Sequence, residues 1–247
     1  MQLSSSTKLG LIAFLAVDVA LAVIFVSLYL LRSDRSTEAE LREIGATIFP
    51  QPFEISGFDL TDQNGDKFSD ADLLKNWNLL FFGFTSCPDI CPITMAELDR
   101  FTNLWREETR KPLPQIILAT VDPATDTPDQ LKNYLARFNS EFFGLTGEPN
   151  DLAALADKLF VAYGEPDTSG VQPSGHNNHE SRINPDDFVI DHSSHISVID
   201  PDGDLFAVIR PPHRARDLVD AMKIISISRS IKRTYFVISP SINSALS

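Results

Sequence analysis

The chain has 247 residues, room for one ordinary domain and an appendage. Its 43% hydrophobic and 22% charged content excludes wholesale disorder, and two cysteines are too few for a disulfide-stapled miniprotein. A net charge of −13 lacks the basic footprint of a nucleic-acid binder, so no nucleic-acid partner is expected.

That charge is uneven. Residues 226–247 hold Arg229, Lys232 and Arg233 and no acid, and residues 1–35 are also slightly basic. The body between them is strongly acidic, which suits a domain that docks on basic partners or handles cations.

Residues 1–8 form a short leading segment. Leu9–Leu31 follows, an apolar run with one charge, Asp18, bracketed by Lys8 and Arg32. About 20 apolar residues cross a bilayer core of ~30 Å, so 9–31 is expected to be a transmembrane anchor. A cleaved signal peptide would be shorter and end in an Ala-x-Ala-like site, and none follows Leu31. Asp18 reads as a single tolerated charge. Basic residues flank the run on both sides, so charge does not fix its orientation. Residues 32–52 read as a polar tether.

The folded domain is expected over 53–225. Phe53–Thr61 and Lys67-Phe68 enclose an Asn64-Gly65 turn, the signature of a hairpin. Leu79–Phe84 and Gln115–Val121 are unbroken apolar runs, the habit of strands buried on both faces of a sheet. Helices are expected over Pro92–Glu108, from an N-cap at Thr127 with Pro128 at the first position, and over Asp151–Tyr163. Ile196–Ile199 and Leu205–Ile209 make a second hairpin around Pro201-Asp-Gly-Asp204, and Asp217–Ile225 closes as a helix. Strands alternating with helices give an α/β class with a mixed central sheet flanked by helices. Residues 164–187 form a long polar loop containing His176 and His179, read as a solvated insertion with incidental histidines. Residues 226–247 remain as a basic tail that touches lipid head groups or has no fixed structure, and His213 reads as a surface-loop residue.

Three segments carry chemistry. The chain's two cysteines stand in Thr85-Ser-Cys-Pro-Asp-Ile-Cys-Pro92, between a buried strand and a helix start. Helix N-termini stabilise thiolates, and Cys87 and Cys91, four residues apart on a first turn, present both sulfurs on one side. Such a pair suits copper, zinc or redox cycling. Val121-Asp-Pro-Ala-Thr-Asp-Thr-Pro128 ends the second buried strand, where ligands gather in open α/β sheets. Asp191-His-Ser-Ser-His195 leads into the Ile196 strand and offers two imidazoles.

Together these segments, in this order, resemble the Sco/SenC family of membrane-tethered, thioredoxin-like copper chaperones, over about Phe53 to Ile225. The resemblance implies a thioredoxin-like fold and one copper held by Cys87, Cys91 and His192. It places Asp122 beside the site and implies delivery to the subunit of cytochrome c oxidase that carries the CuA centre. A copper donor or a thiol reductant is a further implied partner, and the outer face of a bacterial inner membrane is the implied location. His192 is preferred to His195, which continues the alternation of the following strand. The alternative is a membrane-tethered thiol–disulfide oxidoreductase on the same fold. Against it, Cys-x-x-x-Cys is one residue longer than the thioredoxin-type pair.

Overall fold

The computed structural model describes residues 39–161 and 194–238, except the side chains of 233–238, together with positions 14, 17–22, 24 and 25. The chain divides into two compact units, Met1–Glu43 and Ile44–Ser247. In the first, the described positions from 14 to 25 are helical and their side chains are exposed. Among the described residues no helix is long and apolar enough to cross a membrane. Most of Leu9–Leu31 lies outside the described residues, as do the 164–187 loop, His176, His179 and His192.

The second unit is built on one eight-stranded sheet. Its strands are β1 (Ala46–Glu54), β2 (Asp59–Asp62), β3 (Lys67–Ser69), β4 (Asn78–Gly83), β5 (Gln115–Thr120), β6 (Phe143–Thr146), β7 (Ile196–Ile199) and β8 (Asp204–Ile209). They lie in the order β1-β8-β7-β4-β5-β6-β2-β3. β4, β5 and β6 are parallel, while β7, β8, β1, β2 and β3 join antiparallel. Among the described residues four α-helices accompany it: α1 (Ile90–Glu108), α2 (Pro128–Leu135), α3 (Pro149–Lys158) and α4 (Ala215–Ile238).

The two apolar runs become the central strands, as expected from their lack of alternation: every residue of β4 is buried. Successive side chains along them face opposite sides of the sheet. Leu80 and Phe82 of β4, with Ile117 and Ala119 of β5, join Leu152, Leu155 and Leu159 in one core cluster. The alternate set serves the other face, where a Cβ placed on Gly83 would meet Phe81, Leu118 and the Cys91 sulfur. α1 and α4 are tied together by ion pairs from Arg216 and Lys223 to Glu108. Glu97 Oε2 also accepts from the Ala215 amide at 2.8 Å, at the start of α4.

Several boundaries differ from the sequence expectation. The first hairpin is β2–β3, closed by the 2.8 Å bond from the Asp62 amide to the Asp66 carbonyl, with Gly65 at φ 84°. Phe53 belongs instead to β1, which starts at Ala46 inside the expected tether and pairs Phe53 with Leu205. A cross-strand partner 152 residues away decides this, and no local pattern announces it. β6 is only four residues long, too short for its pattern to mark it in the sequence. α3 stops at Lys158 rather than reaching Tyr163, because Phe160 turns left-handed at φ 55°. Its ring is held edge-on to Phe53 at 5.1 Å.

The largest difference is at the end of the chain. α4 does not stop at Ile225 but runs to Ile238, so part of the expected tail belongs to the domain. Arg229 places Nε 2.6 Å from the Asp200 carboxylate and Nη2 2.6 Å from Asp202, with its guanidinium 5.8 Å from the Trp77 ring. Lys232 donates to the Phe49 carbonyl at 2.8 Å, beside β1. The positive charges of this segment are thus partly consumed by the β7–β8 turn and by β1. Because the Asp200 side chain is only 4% exposed, removing its partner strands a buried charge. Arg229→Ala is expected to destabilise the protein by about 3 kcal/mol, measured by urea unfolding, while neighbouring Ser228→Ala has little effect.

Candidate metal centre

β4 delivers the chain to the site and Gly83 ends it. Phe84 to Asp89 then form a tight loop, in which the Cys87 amide donates to the Phe84 carbonyl at 3.2 Å. α1 begins at Ile90, so Cys91 sits in its first turn. The strand-to-helix corner therefore brings both cysteines together, as their spacing predicts. Both are free thiols and both are buried, and the Cys87 side chain is among the groups that act on the Cys91 thiol. Cys87 is 9% exposed and Cys91 fully buried, so Cys87 is the less enclosed of the two.

Gly83 makes room for this. A Cβ there would stand 3.0 Å from the Cys91 sulfur and 3.1 Å from Leu118, so the sulfur occupies the space a side chain would fill. The enclosure overturns the expectation that the helix N-terminus stabilises a thiolate at Cys91. Burial pushes its thiol up to about 12, helped by the Cys87 side chain and opposed by a backbone hydrogen bond at Phe84. Desolvation of the anion outweighs the helix end here. At neutral pH Cys91 is a thiol.

A second acid, Asp126, ties the cysteine loop to the sheet. Asp126 is fully buried. Its carboxylate accepts from the Thr85 amide at 3.0 Å, the Thr85 hydroxyl at 2.5 Å and the Thr120 hydroxyl at 2.6 Å. Thr85 opens the cysteine loop and Thr120 ends β5, so one carboxylate locks the two loops at the carboxyl ends of neighbouring strands. Asp126 is also among the charges that raise the Cys91 thiol. Asp122 is only half-buried and serves its own turn: its carbonyl accepts from the Asp126 amide at 2.9 Å.

The histidines separate clearly. His195 places Nε2 3.2 Å from the Leu159 carbonyl beyond α3, half-buried, and burial lowers its pKa. It is engaged away from the cysteines. His192 lies outside the described residues. His213 is not a surface residue: it is 6% exposed, with Nε2 3.2 Å from the Ile209 carbonyl and Nδ1 3.3 Å from the Thr94 hydroxyl of α1. A carbonyl only accepts, so Nε2 carries the hydrogen and Nδ1 takes one from Thr94. Burial holds its pKa below the ordinary value, keeping the ring neutral in this packing role. Among the described residues no cluster of three or more candidate ligands occurs, so the cysteine pair supplies two donors and no third.

A mixed sheet whose parallel core strand runs into a buried pair of free thiols at a helix start defines a thioredoxin-like protein with a dithiol site. A family model described as SCO1/SenC matches residues 49–226. A protein of Stutzerimonas stutzeri whose name includes the words copper-binding protein is 38% identical over 174 residues, covering 70% of this chain and 78% of that one. The SCO2-like protein of Rickettsia felis is 36% identical over 182 residues, 72% of this chain and 79% of its own. The crystal structure of yeast Sco1 with copper bound superposes with a TM-score of 0.58 at 28% identity, covering 72% of this chain and 90% of that one. The chain belongs to the SCO1/SenC family.

Removing the buried carboxylate leaves the Thr85 amide and two hydroxyls without an acceptor. Asp126→Ala is expected to lower unfolding stability by about 3 kcal/mol and to weaken metal binding at the cysteine pair. Asp122→Ala is expected to cost under about 1 kcal/mol and leave binding nearly unchanged. Denaturant unfolding and metal titration on the same samples measure both.

Proposed function

We propose that this protein is a copper chaperone for cytochrome c oxidase assembly, binding one copper through Cys87, Cys91 and His192 and delivering it to the CuA site. The observation that carries the reading is the pair of adjacent, unlinked, enclosed thiols at the strand-to-helix corner. Two sulfurs with one imidazole suit Cu(I), which prefers soft ligands, whereas a structural zinc site normally takes four protein ligands. The name of the Stutzerimonas relative and the copper-bound yeast Sco1 support copper as the cargo.

In this reading the chain contributes three things. The enclosed wall at Cys91 keeps water from one sulfur while Cys87 faces the surface, where a partner reaches it first. Asp126 holds the cysteine loop in register with β5. His192, on a segment remote in sequence from the thiols, completes the site and lets go for release. Leu9–Leu31 anchors the domain in the membrane, and the folded part works on the outer face of a bacterial inner membrane. The partners are the oxidase subunit bearing CuA and a copper donor or thiol reductant.

The test is copper stoichiometry and affinity on the full chain in detergent, reduced. One tightly held copper per chain is expected. Cys87→Ser, Cys91→Ser and His192→Ala should each weaken it beyond the ~10–100-fold typical of outer-shell changes, and His195→Ala should spare it. Absence of tight copper binding with thiol–disulfide exchange intact would replace this reading with the oxidoreductase.

Acidity gives a second check. The Cys91 thiol is held up to about 12, so copper must displace its proton throughout the neutral range. Affinity for Cu(I) is therefore expected to rise about tenfold per pH unit through this thiol alone. In Cys91→Ser that contribution disappears, as competition titrations at several pH values would measure.

A further inference from the structure

His213 sits in the loop between β8 and α4, and its imidazole reaches the surroundings of Cys91 by two routes. One runs through α1: Nδ1 stands 3.3 Å from the hydroxyl of Thr94, which is itself buried and lies nearly one turn after Cys91 on the same helix. The other runs through β4: the ring meets the Phe81 ring edge-on, with centroids 6.2 Å apart. A Cβ on Gly83 would meet Phe81 and the Cys91 sulfur, each at 3.0 Å, so the aromatic edge and the sulfur border one space. On its remaining side Nε2 stands 3.2 Å from the Ile209 carbonyl at the end of β8. One ring therefore ties β8 to α1 and backs the wall against which the Cys91 sulfur packs.

We propose that His213 is a positioning residue of the metal centre: its uncharged ring holds Thr94 and Phe81 where the Cys91 sulfur needs them, and protonating it loosens metal binding. This rests on the reading of Cys87 and Cys91 as the metal-binding pair. The neutral ring suits its partners, since Nε2 donates to a carbonyl and Nδ1 accepts from Thr94. An imidazolium carries a hydrogen on both nitrogens, and the second one points at a hydroxyl that is already donating. Around the ring stand His195 before β7, Arg210 and Arg214 on its own loop, Glu97 of α1 and Asp217 at the start of α4. Of the two acids, Glu97 is held by the Ala215 amide and Arg100, and Asp217 makes no bond to the ring. A charge on this ring, which is 6% exposed, is thus buried against neutral partners, and the ring leaves its seat for water. Its holds on Thr94 and Phe81 go with it. Burial lowers the ring's pKa, so this happens only on the acid side of its ordinary value.

The experiment uses the full chain in detergent, reduced, with Cd(II) as the probe. Cd(II) with two thiolates carries the same net charge as two thiols, so it reports packing around the sulfurs rather than a change of charge. Affinities of the parent and of His213→Gln, which keeps a donor and an acceptor but does not titrate, are compared by competition at about pH 7.5 and about pH 5.5. The parent is expected to bind more tightly than the variant at the higher pH, and its advantage is expected to shrink at least about fivefold at the lower one. Proton loss from the thiols is common to both chains and cancels in the ratio. A reciprocal readout needs no variant: followed by NMR in the parent, the His213 ring is expected to titrate at lower pH once Cd(II) is bound. A parent-to-variant ratio that does not change with pH overturns the proposal, because the ring would then be only a structural filler. A His213 titration that Cd(II) leaves unmoved overturns it as well. If the parent takes Cd(II) but not Cu(I) and both pH effects are seen, the copper reading fails while this inference stands.

Discussion

The carboxylate of Asp126 is fully buried, and among the described residues it pairs with no cation. What keeps it there is a set of three donors from two loops, the Thr85 amide and hydroxyl and the Thr120 hydroxyl. A buried anion without such donors would be expelled or neutralised, and buried donors without it would be stranded. Each therefore fixes the other. The joint clamps the carboxyl ends of β4 and β5, and through Thr85 it sets where the chain turns toward Cys87. The cysteine corner, the start of α1 and the entry to α2 all follow from that joint.

Enclosure also sets the character of the thiols. Gly83 lets the Cys91 sulfur sink onto the sheet, and the same burial that secures it makes its anion expensive. The result is an asymmetric pair, with one sulfur walled in and the other at the rim. Cys91 gives up its proton reluctantly and gains most from a ligand that neutralises sulfur charge directly. That favours binding a soft cation over standing ready as a thiolate nucleophile.

The domain is completed from its far ends. β1 lies at one edge of the sheet, and α4 reaches it through Lys232 while Arg229 clamps the β7–β8 turn. The turn and edge strand nearest that helix are thus held by its last described side chains, on the opposite side of β4 from β5 and β6. This arrangement explains why a basic segment persists in an acidic protein: two of its three charges have partners within the fold.

The sequence by itself determined the central strands, the start of α2 and the cysteine pair. Each depends on neighbours only a few residues apart: an apolar run, a Thr-Pro cap, a Cys-x-x-x-Cys spacing. It also carried enough ordered motif to indicate the family. Only the tertiary structure decided that Phe53 belongs to an edge strand, that α4 continues past Ile225, and that His213 is buried against α1. It alone gave Asp126 its donors from Thr85 and Thr120, and left His195 on the Leu159 carbonyl. In each of those cases at least one deciding contact joins residues more than 25 positions apart in the chain. Local pattern records what a residue prefers; which group fills its last hydrogen bond, or closes over its last exposed face, is fixed only when distant segments meet.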